Sequence, residues 1–280
     1  MIFSKIETTS NHGTEQGIIP RFEIQMIELY RIAITNSKEY EFNKFINYTI
    51  VVVPEITHLY DIHLSLVQKF DIYKDGMISG EFSKIQCGIP YFDRSIELEI
   101  IDLIKDFFIR GRILLENFRK SQIIDDNYFC LDKLLMVNEK NFQKNKQDQK
   151  ALIPDKRYDI LYDLIENSRQ RFLNDFNDIR VGFEHNQAII DKFDFDFNKK
   201  IVIEPILNKM KLSLAIDFYY DSILDMIEKL MCYFYGINAY LRSNGGLKLF
   251  IQKNIDYKNL KYKFFISPIR FDNLIDCDFK

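Results

Sequence analysis

The segment from Arg180 to His185 places a guanidinium that is always charged five positions before an imidazole. An imidazole titrates near neutral pH, so it can take a proton from a ribose 2′-hydroxyl or give one to a departing 5′-oxygen. An arginine can neutralise the charge that gathers on the phosphate during the same reaction. These residue types can cleave RNA without a metal ion, so we select Arg180 and His185 as candidate catalytic residues.

The spacing of this pair sets a geometric condition on the site. Each residue of a regular helix advances about 100° around the axis, so Arg180 and His185 would lie about 140° apart on one helix. The two side chains would then not converge. A bend at Gly182 could reorient them, or two copies of the segment could meet across a two-fold axis and share one cleft.

Composition limits the classes of protein that the chain can represent. The chain has 280 residues and is 47% apolar, which is enough to bury a sizeable core. Its net charge of −3 argues against indiscriminate coating of nucleic acid, although a local basic groove stays open. No apolar stretch reaches the roughly 20 residues that cross a bilayer, and the N-terminus lacks a secretory pattern. We therefore predict a cytoplasmic protein with no membrane segment.

Apolar residues recur at helical spacing along much of the chain. The pattern predicts helices from Phe22 to about Phe45, from Pro54 to near Gly76, from Asp93 or Ser95 to Phe118, from Asp155 to Ile179, and from Ser213 to Gly236. Between the last two, three phenylalanines alternate with aspartates and are followed by Ile201–Ile203, which predicts a β-hairpin near residues 191–206. The fold class is therefore mainly α, a bundle of about five to six helices with a small hairpin insertion.

A polar stretch interrupts the helical pattern near residues 138–154. Its composition offers no face to bury, so we predict a surface loop there. No internal repeat is visible, and the loop does not separate two self-sufficient cores. We predict a single mostly helical domain over residues 1–280.

The long helix that leads into R-x-x-x-x-H resembles the HEPN superfamily, whose R-x(4–6)-H motif marks metal-independent endoribonucleases of toxin–antitoxin, abortive-infection and CRISPR defence systems. The resemblance covers Arg180, His185 and the helical pattern of roughly residues 20–240, which would form a HEPN-like core. It implies a homodimer in which two motifs form one active site. The sequence departs from the family at Val181, a position that is often polar, and Glu184 and Asn186 are candidates to support the site.

The resemblance implies an endoribonuclease of a defence or toxin–antitoxin system. Its substrate would be RNA, its partners a second copy and an antitoxin or other protein, and it would need no cofactor and no metal. Lys192, Lys199 and Lys200 follow the motif and could guide an RNA backbone, while a neighbouring phenylalanine stacks on a base. Alternatively, the phenylalanines form the buried face of the hairpin and the lysines keep it soluble.

Two other interpretations of the sequence remain open. Arg180 and Glu184 could form an ordinary ion pair one helical turn apart, with His185 merely exposed, in a non-catalytic helical interaction module or scaffold of a defence system. Alternatively, four acidic residues could hold Mg²⁺ for phosphodiester cleavage, although alternating aspartates are also typical of a solvated strand face. These residues are Asp191, Asp194, Asp196 and Glu204.

Another histidine, His63, lies in an apolar stripe, which favours a hydrogen-bonded, partly buried residue.

Overall fold

The computed structural model describes residues 21–33, 39–153, 155–185, 190–252, 263–268 and 274–277. In these residues the protein is mainly helical with small antiparallel β elements, as the sequence predicts. The chain forms two compact units. The first unit comprises Met1–Thr57, Leu115–Asn167 and Asp225–Lys280, and the second unit comprises His58–Leu114 and Ser168–Leu224.

Three long helices contribute residues to both units, and they are α3 (Val53–Ser79), α4 (Ser95–Lys120) and α8 (Leu212–Arg242). The other elements of the first unit are a π-helical turn at Arg21–Gln25, α1 (Met26–Ala33), α2 (Glu39–Asn47), a π-helical turn at Tyr48–Val52, α5 (Glu139–Lys150) and α6 (Asp159–Ser168). Only the last residue of α6, Ser168, belongs to the second unit. The unit boundaries fall inside helices. The division into units therefore neither confirms nor contradicts the predicted single domain.

The first unit also contains a three-stranded sheet. Its strands are β7 (Lys248–Gln252), β8 (Phe264–Ser267) and β9 (Leu274–Asp276), paired in the order β8-β7-β9. The second unit adds β1 (Ser83–Gln86), β2 (Ile89–Phe92), a π-helical turn at Arg169–Leu173, α7 (Asn174–Glu184), β3 (Asp194–Asp196), β4 (Ile201–Ile203), β5 (Ile206–Leu207) and β6 (Met210–Lys211). Strands β3 and β4 pair antiparallel, with Asp194 opposite Ile203, so the hairpin predicted near residues 191–206 is confirmed.

One predicted helix start is confirmed and another is not. Helix α4 begins at Ser95, where the Asp93 carboxylate accepts a hydrogen bond from the Ser95 amide at 2.9 Å. The start predicted at Pro54 is not observed, because Pro54 lies inside a continuous helical run, two residues after the π-helical turn at Tyr48–Val52. Helix α3 continues past Gly76 to Ser79, and the Phe82 ring lies against Gly76, 2.1 Å from where a Cβ would be. The glycine therefore permits close packing and does not end the helix.

Helix α8 extends beyond the end predicted at Gly236. Ile237 and Ala239 are buried, so packing continues to favour helix after the glycine. The helix ends at Arg242, and the Gly245 amide, with a left-handed φ of 83°, donates to the Tyr240 carbonyl at 2.8 Å. The Asn244 amide also donates to the Leu241 carbonyl at 3.3 Å, and Asn244 has a left-handed φ of 49°, so this pair of residues ends the helix later than the predicted Gly236.

The surface loop predicted near residues 138–154 is wrong over most of its length, because residues 139–150 form α5. The Asn138 side chain caps the helix by accepting a hydrogen bond from the Asn141 amide at 2.9 Å. Phe142 is completely buried, and Lys146 pairs with Glu166 of α6 at 2.7 Å. One aromatic anchor, a cap and an ion pair stabilise a helix whose composition has almost no apolar face.

A buried carboxylate, Glu228 of α8, organises the interior of the first unit. It is 0% exposed and lies 2.7 Å from the Arg21 Nε and 3.5 Å from the Lys263 Nζ. The Gln25 Nε2 donates to the same carboxylate at 3.0 Å, and its Oε1 accepts hydrogen bonds from the amides of Lys263 and Phe264. Glu228 therefore joins residues near the two ends of the described chain to α8.

Replacement of Phe142 by Ala tests whether α5 is packed. We expect a loss of about 3–5 kcal/mol in the free energy of unfolding, because the ring is fully buried and its removal leaves a cavity. The exposed Lys144, on the same helix, provides the control, and Lys144→Ala should change stability by less than about 0.5 kcal/mol. Urea unfolding measures both, and equal small effects would show that residues 139–150 are not packed as a helix.

Replacement of Glu228 by Gln tests the buried charge network. The amide keeps the size of the side chain but removes the buried negative charge that Arg21 and Lys263, both nearly buried, contact. Breaking a buried ion pair from one side costs about 3–5 kcal/mol. Asp225→Asn is the matched control, since Asp225 also contacts Lys263 but is 35% exposed, and it should cost less than about 1 kcal/mol. Comparable urea midpoints for the two variants would contradict the central role of Glu228.

Candidate functional site

Helix α7 carries the arginine of the motif and packs on α4 in the second unit. Its buried residues Phe176 and Phe183 lie with ring centroids 5.0 Å and 5.6 Å from that of Phe108. Gly111 of α4 permits this approach, because a Cβ there would lie 2.6 Å from the Phe176 ring. Aromatic packing on one face therefore fixes the helix, and Arg180 lies in its second half.

The Arg180 side chain is bound along its own helix. Its Nη1 pairs with the Glu184 carboxylate, and its Nη2 donates to the Asn177 side chain at 3.1 Å. The side chain is 16% exposed, and its Nε is buried without a hydrogen-bond partner among the described residues. This is the ion pair one turn apart that the non-catalytic interpretation predicts, and it also holds the guanidinium in one orientation.

His185 is the first residue after α7. Its amide donates to the Val181 carbonyl at 3.1 Å, and its side chain is exposed at the helix end. Gly182 lies inside the helix, so the bend considered at that position does not occur. Both motif residues are described, and no hydrogen bond or ion pair joins Arg180 to His185. The supporting residue Asn186 lies outside the described residues.

The three hairpin lysines lie at the surface. Lys192 and Lys200 are exposed, and Lys199 is 74% exposed and pairs with Asp196 at 3.5 Å. By contrast, Phe193 and Phe195 are buried, and the Phe193 ring centroid lies 5.0 Å from that of Tyr73. These rings form the inner face of the hairpin, so they are not available to stack on a base, whereas the lysines can still contact a phosphate backbone.

The acidic residues of the hairpin are engaged in local structure. The Asp196 carboxylate accepts hydrogen bonds from the Asn198 and Lys199 amides, and the Lys199 bond is the main cause that lowers its pKa. Glu204 pairs with Lys74 at 3.2 Å and accepts the Ser213 amide at 2.9 Å. Across the described ranges, no group of three or more His, Cys, Asp and Glu side chains could hold a metal ion. A Mg²⁺ site on the hairpin therefore has no structural support.

The structure reveals a histidine–aspartate pair that sequence reasoning missed. The His63 Nε2 lies 2.7 Å from the Asp217 carboxylate, and its ring stacks on Tyr220 at a centroid distance of 4.1 Å and an angle of 6°. The hydrogen-bonded, partly buried His63 of the sequence analysis is thus confirmed. Its partner lies 154 residues away on α8, and no local pattern identifies such a contact.

This pair has the arrangement that prepares an imidazole for proton transfer. A carboxylate at Nε2 favours the tautomer with its hydrogen on that nitrogen, which leaves the Nδ1 lone pair as the acceptor. The His63 side chain is 18% exposed and Asp217 is half exposed, so water reaches the pair. The exposed His185 of the motif, in the same unit, has no carboxylate partner among the described residues, so His63 is the better prepared imidazole of these two.

Comparison with protein family models, with characterised proteins and with solved structures gives no match. The resemblance to the HEPN superfamily therefore depends on the Arg180–His185 spacing and the helical pattern alone.

One helical run within the described residues, Asn43–Ser79, is long and apolar enough to span a membrane. Its mean hydropathy is 1.3, and 33% of its most apolar window is buried. A core helix of a soluble protein passes the same test, so this single run is weak evidence for a membrane segment.

Replacement of Asp217 by Ala tests the role of the carboxylate at His63. We expect the imidazole to lose its preference for the Nε2–H tautomer and the protein to lose about 1 kcal/mol of stability, because a half-exposed hydrogen bond is removed. Long-range ¹⁵N–¹H NMR measures the tautomer of the neutral ring. Asp71→Ala, at an exposed position on α3, serves as the control. An unchanged tautomer population in Asp217→Ala would refute the assignment.

Proposed function

We propose that the C-terminal end of α7 is the active site of a metal-independent endoribonuclease. The observation that carries the proposal is an exposed imidazole, His185, directly beyond the helix that holds the Arg180 guanidinium in one orientation. An exposed histidine can reach a ribose hydroxyl without rearrangement of the core. An arginine held by Glu184 and Asn177 has already lost the side-chain freedom that phosphate binding would otherwise cost.

The reaction moves one proton from the 2′-oxygen to the 5′-oxygen. An imidazole takes the proton of the 2′-hydroxyl while that oxygen attacks the adjacent phosphorus, and an imidazolium gives a proton to the 5′-oxygen as its bond to phosphorus breaks. Arg180 stabilises the extra negative charge on the phosphoryl oxygens. The products are a 2′,3′-cyclic phosphate and a 5′-hydroxyl end.

A second copy of the chain completes the site in this proposal. No hydrogen bond joins His185 to Arg180 in one copy, and the helix contains no bend at Gly182 to bring them together. Two ends of α7 meeting across a two-fold axis would place the histidine of one copy beside the arginine of the other. The exposed Lys192, Lys199 and Lys200 would then hold the RNA backbone on either side.

The biological setting belongs to the same proposal. A ribonuclease of this kind acts on RNA in the cytoplasm as part of a defence or toxin–antitoxin system, and a partner protein would restrain it by covering the shared cleft. Glu184 supports the site by orienting Arg180, whereas Asn186 is a candidate only through its position directly after His185 in the sequence.

Single replacements of the two motif residues test the proposal. We expect His185→Ala and Arg180→Ala to reduce cleavage of a single-stranded RNA by about 100-fold or more in the presence of EDTA, because each removes one catalytic role. His58→Ala is the matched control, since His58 is exposed and outside the motif, and should leave the rate unchanged. Gel electrophoresis and end-group analysis would detect the cyclic phosphate, and parental rates for both motif variants would exclude this site.

A second candidate function is a non-catalytic helical interaction module. It is favoured by the contacts of Arg180, whose two terminal nitrogens are already bonded to Glu184 and Asn177 within α7. In that case the purified protein does not cut RNA with or without EDTA, and Arg180→Ala lowers stability by a few tenths of a kcal/mol. EDTA-resistant cleavage that depends on His185 would exclude this alternative.

A further inference from the structure

Two β-hairpins adjoin each other in the second unit. The first hairpin is formed by β1 and β2, over residues 83–92, and the second hairpin is formed by β3 and β4, over residues 194–203. The Phe92 ring, at the end of β2, lies with its centroid 5.7 Å from that of Phe197, in the turn of the second hairpin. The exposed surfaces of the two hairpins are therefore neighbours.

Five large apolar side chains of these hairpins are more than half exposed to solvent. They are Ile85, Ile89 and Tyr91 of the first hairpin and Ile201 and Ile203 of the second. In the second hairpin the two isoleucines share one face, because residues two apart in a strand project to the same side. Apolar surface gathered in this way on neighbouring elements is typical of an interaction site.

The exposed faces of the two hairpins carry opposite charges. On the first hairpin, Lys84 lies directly opposite Tyr91. On the second hairpin, Asp194 lies directly opposite Ile203. Residues directly opposite each other in antiparallel strands project from the same side, so each face combines apolar side chains with a charge. One face therefore offers a cation and the other offers a carboxylate.

These two charges are accessible to a partner. Lys84 and Asp194 are both exposed, and neither forms an ion pair among the described residues. The Asp194 carboxylate accepts one hydrogen bond, from the Phe195 amide at 2.8 Å. By contrast, Asp196 on the same face already pairs with Lys199 at 3.5 Å. Lys84 and Asp194 therefore keep the capacity to bind an opposite charge.

A second copy of the chain fits both faces at once. When two copies are related by a two-fold axis, the first hairpin of one copy can meet the second hairpin of the other, and the same contact then forms twice. Each contact pairs Lys84 with Asp194 and covers the apolar side chains beside them. The hairpins contribute ten residues each, and a stable interface uses about 20–30 residues on each side.

We propose that the two hairpins form a dimer interface, with Lys84 of each copy on Asp194 of the other. The second hairpin begins nine residues after His185, so this interface lies close in the chain to the end of α7. The choice of a second copy rests on the proposed function, because that reaction takes Arg180 and His185 from two chains. The complementary surface itself is inferred from the hairpins alone.

Charge reversal, with sedimentation velocity of the full chain, tests the proposal. We expect the parent protein to dimerise, and Lys84→Asp and Asp194→Lys each to weaken dimerisation about tenfold or more, because each places like charges together. The double variant Lys84→Asp/Asp194→Lys should regain the parental dissociation constant, since the pair is restored with its charges exchanged. Lys140→Asp, at an exposed position on α5, is the control and should leave that constant unchanged.

Ile89→Ser tests the apolar part of the contact. It should weaken dimerisation about tenfold or more, because an apolar side chain is lost from each of the two contacts. Leu152→Ser is the matched control, since Leu152 is also 69% exposed but lies in the first unit. Circular dichroism confirms that each variant is folded, and Ile89→Thr replaces Ile89→Ser if the latter is not. A parent protein that stays monomeric, parental dissociation constants in the single variants, or a double variant that does not recover would overturn the proposal.

RNA cleavage by the same proteins separates this proposal from the proposed function. If the hairpin variants are monomeric and the parent dimer does not cut RNA, the interface stands and the proposed function is wrong. If the hairpin variants stay dimeric and His185→Ala abolishes cleavage, the proposed function stands and this interface is wrong.

Discussion

The buried carboxylate of Glu228 places a strict electrostatic constraint on the interior of the first unit. A carboxylate removed from water must be matched by cations and donors, and Arg21, Gln25 and Lys263 come from opposite ends of the described chain to do so. The contacts of these three residues with Glu228 fix the position of α8 in this unit.

Local signals in the sequence predicted the long helices because apolar spacing and capping act within a few residues. The start of α4 at Ser95 is an example, since its cap is Asp93. Helix ends were harder to predict, because a glycine inside a helix and a glycine after it look alike in sequence. Gly76 allows the Phe82 ring to pack closely against the helix. Phe82 is near in sequence, but the sequence does not show that the chain folds back to bring its ring against the glycine. The helical α5 was missed for a related reason, since Phe142 alone supplies its buried anchor.

At the candidate sites too, contacts between residues close in sequence could be predicted and contacts between distant residues could not. The contact of Arg180 with Glu184 was open to prediction, because residues four apart on a helix are neighbours. The pairing of His63 with Asp217 joins positions 154 residues apart. Such a contact follows from tertiary packing and leaves no periodic trace. A single sequence therefore indicates which residues could do chemistry, but the partners that tune them emerge from the fold.

The bond between Arg180 and Glu184 does not by itself exclude a catalytic role for the arginine. Ion pairs one turn apart on a partly exposed helix stabilise by about 0.3–0.5 kcal/mol. A hydrogen bond between charged groups contributes about 1.5–3 kcal/mol, and a phosphate can form two with one guanidinium. An RNA phosphate arriving at the end of α7 could therefore replace Glu184 at the Arg180 Nη1 while Asn177 continues to hold the Nη2. The ion pair seen in the free protein therefore fits either proposed function. The exposed His185 is the more informative member of the motif, because its side chain makes no hydrogen bond or ion pair among the described residues.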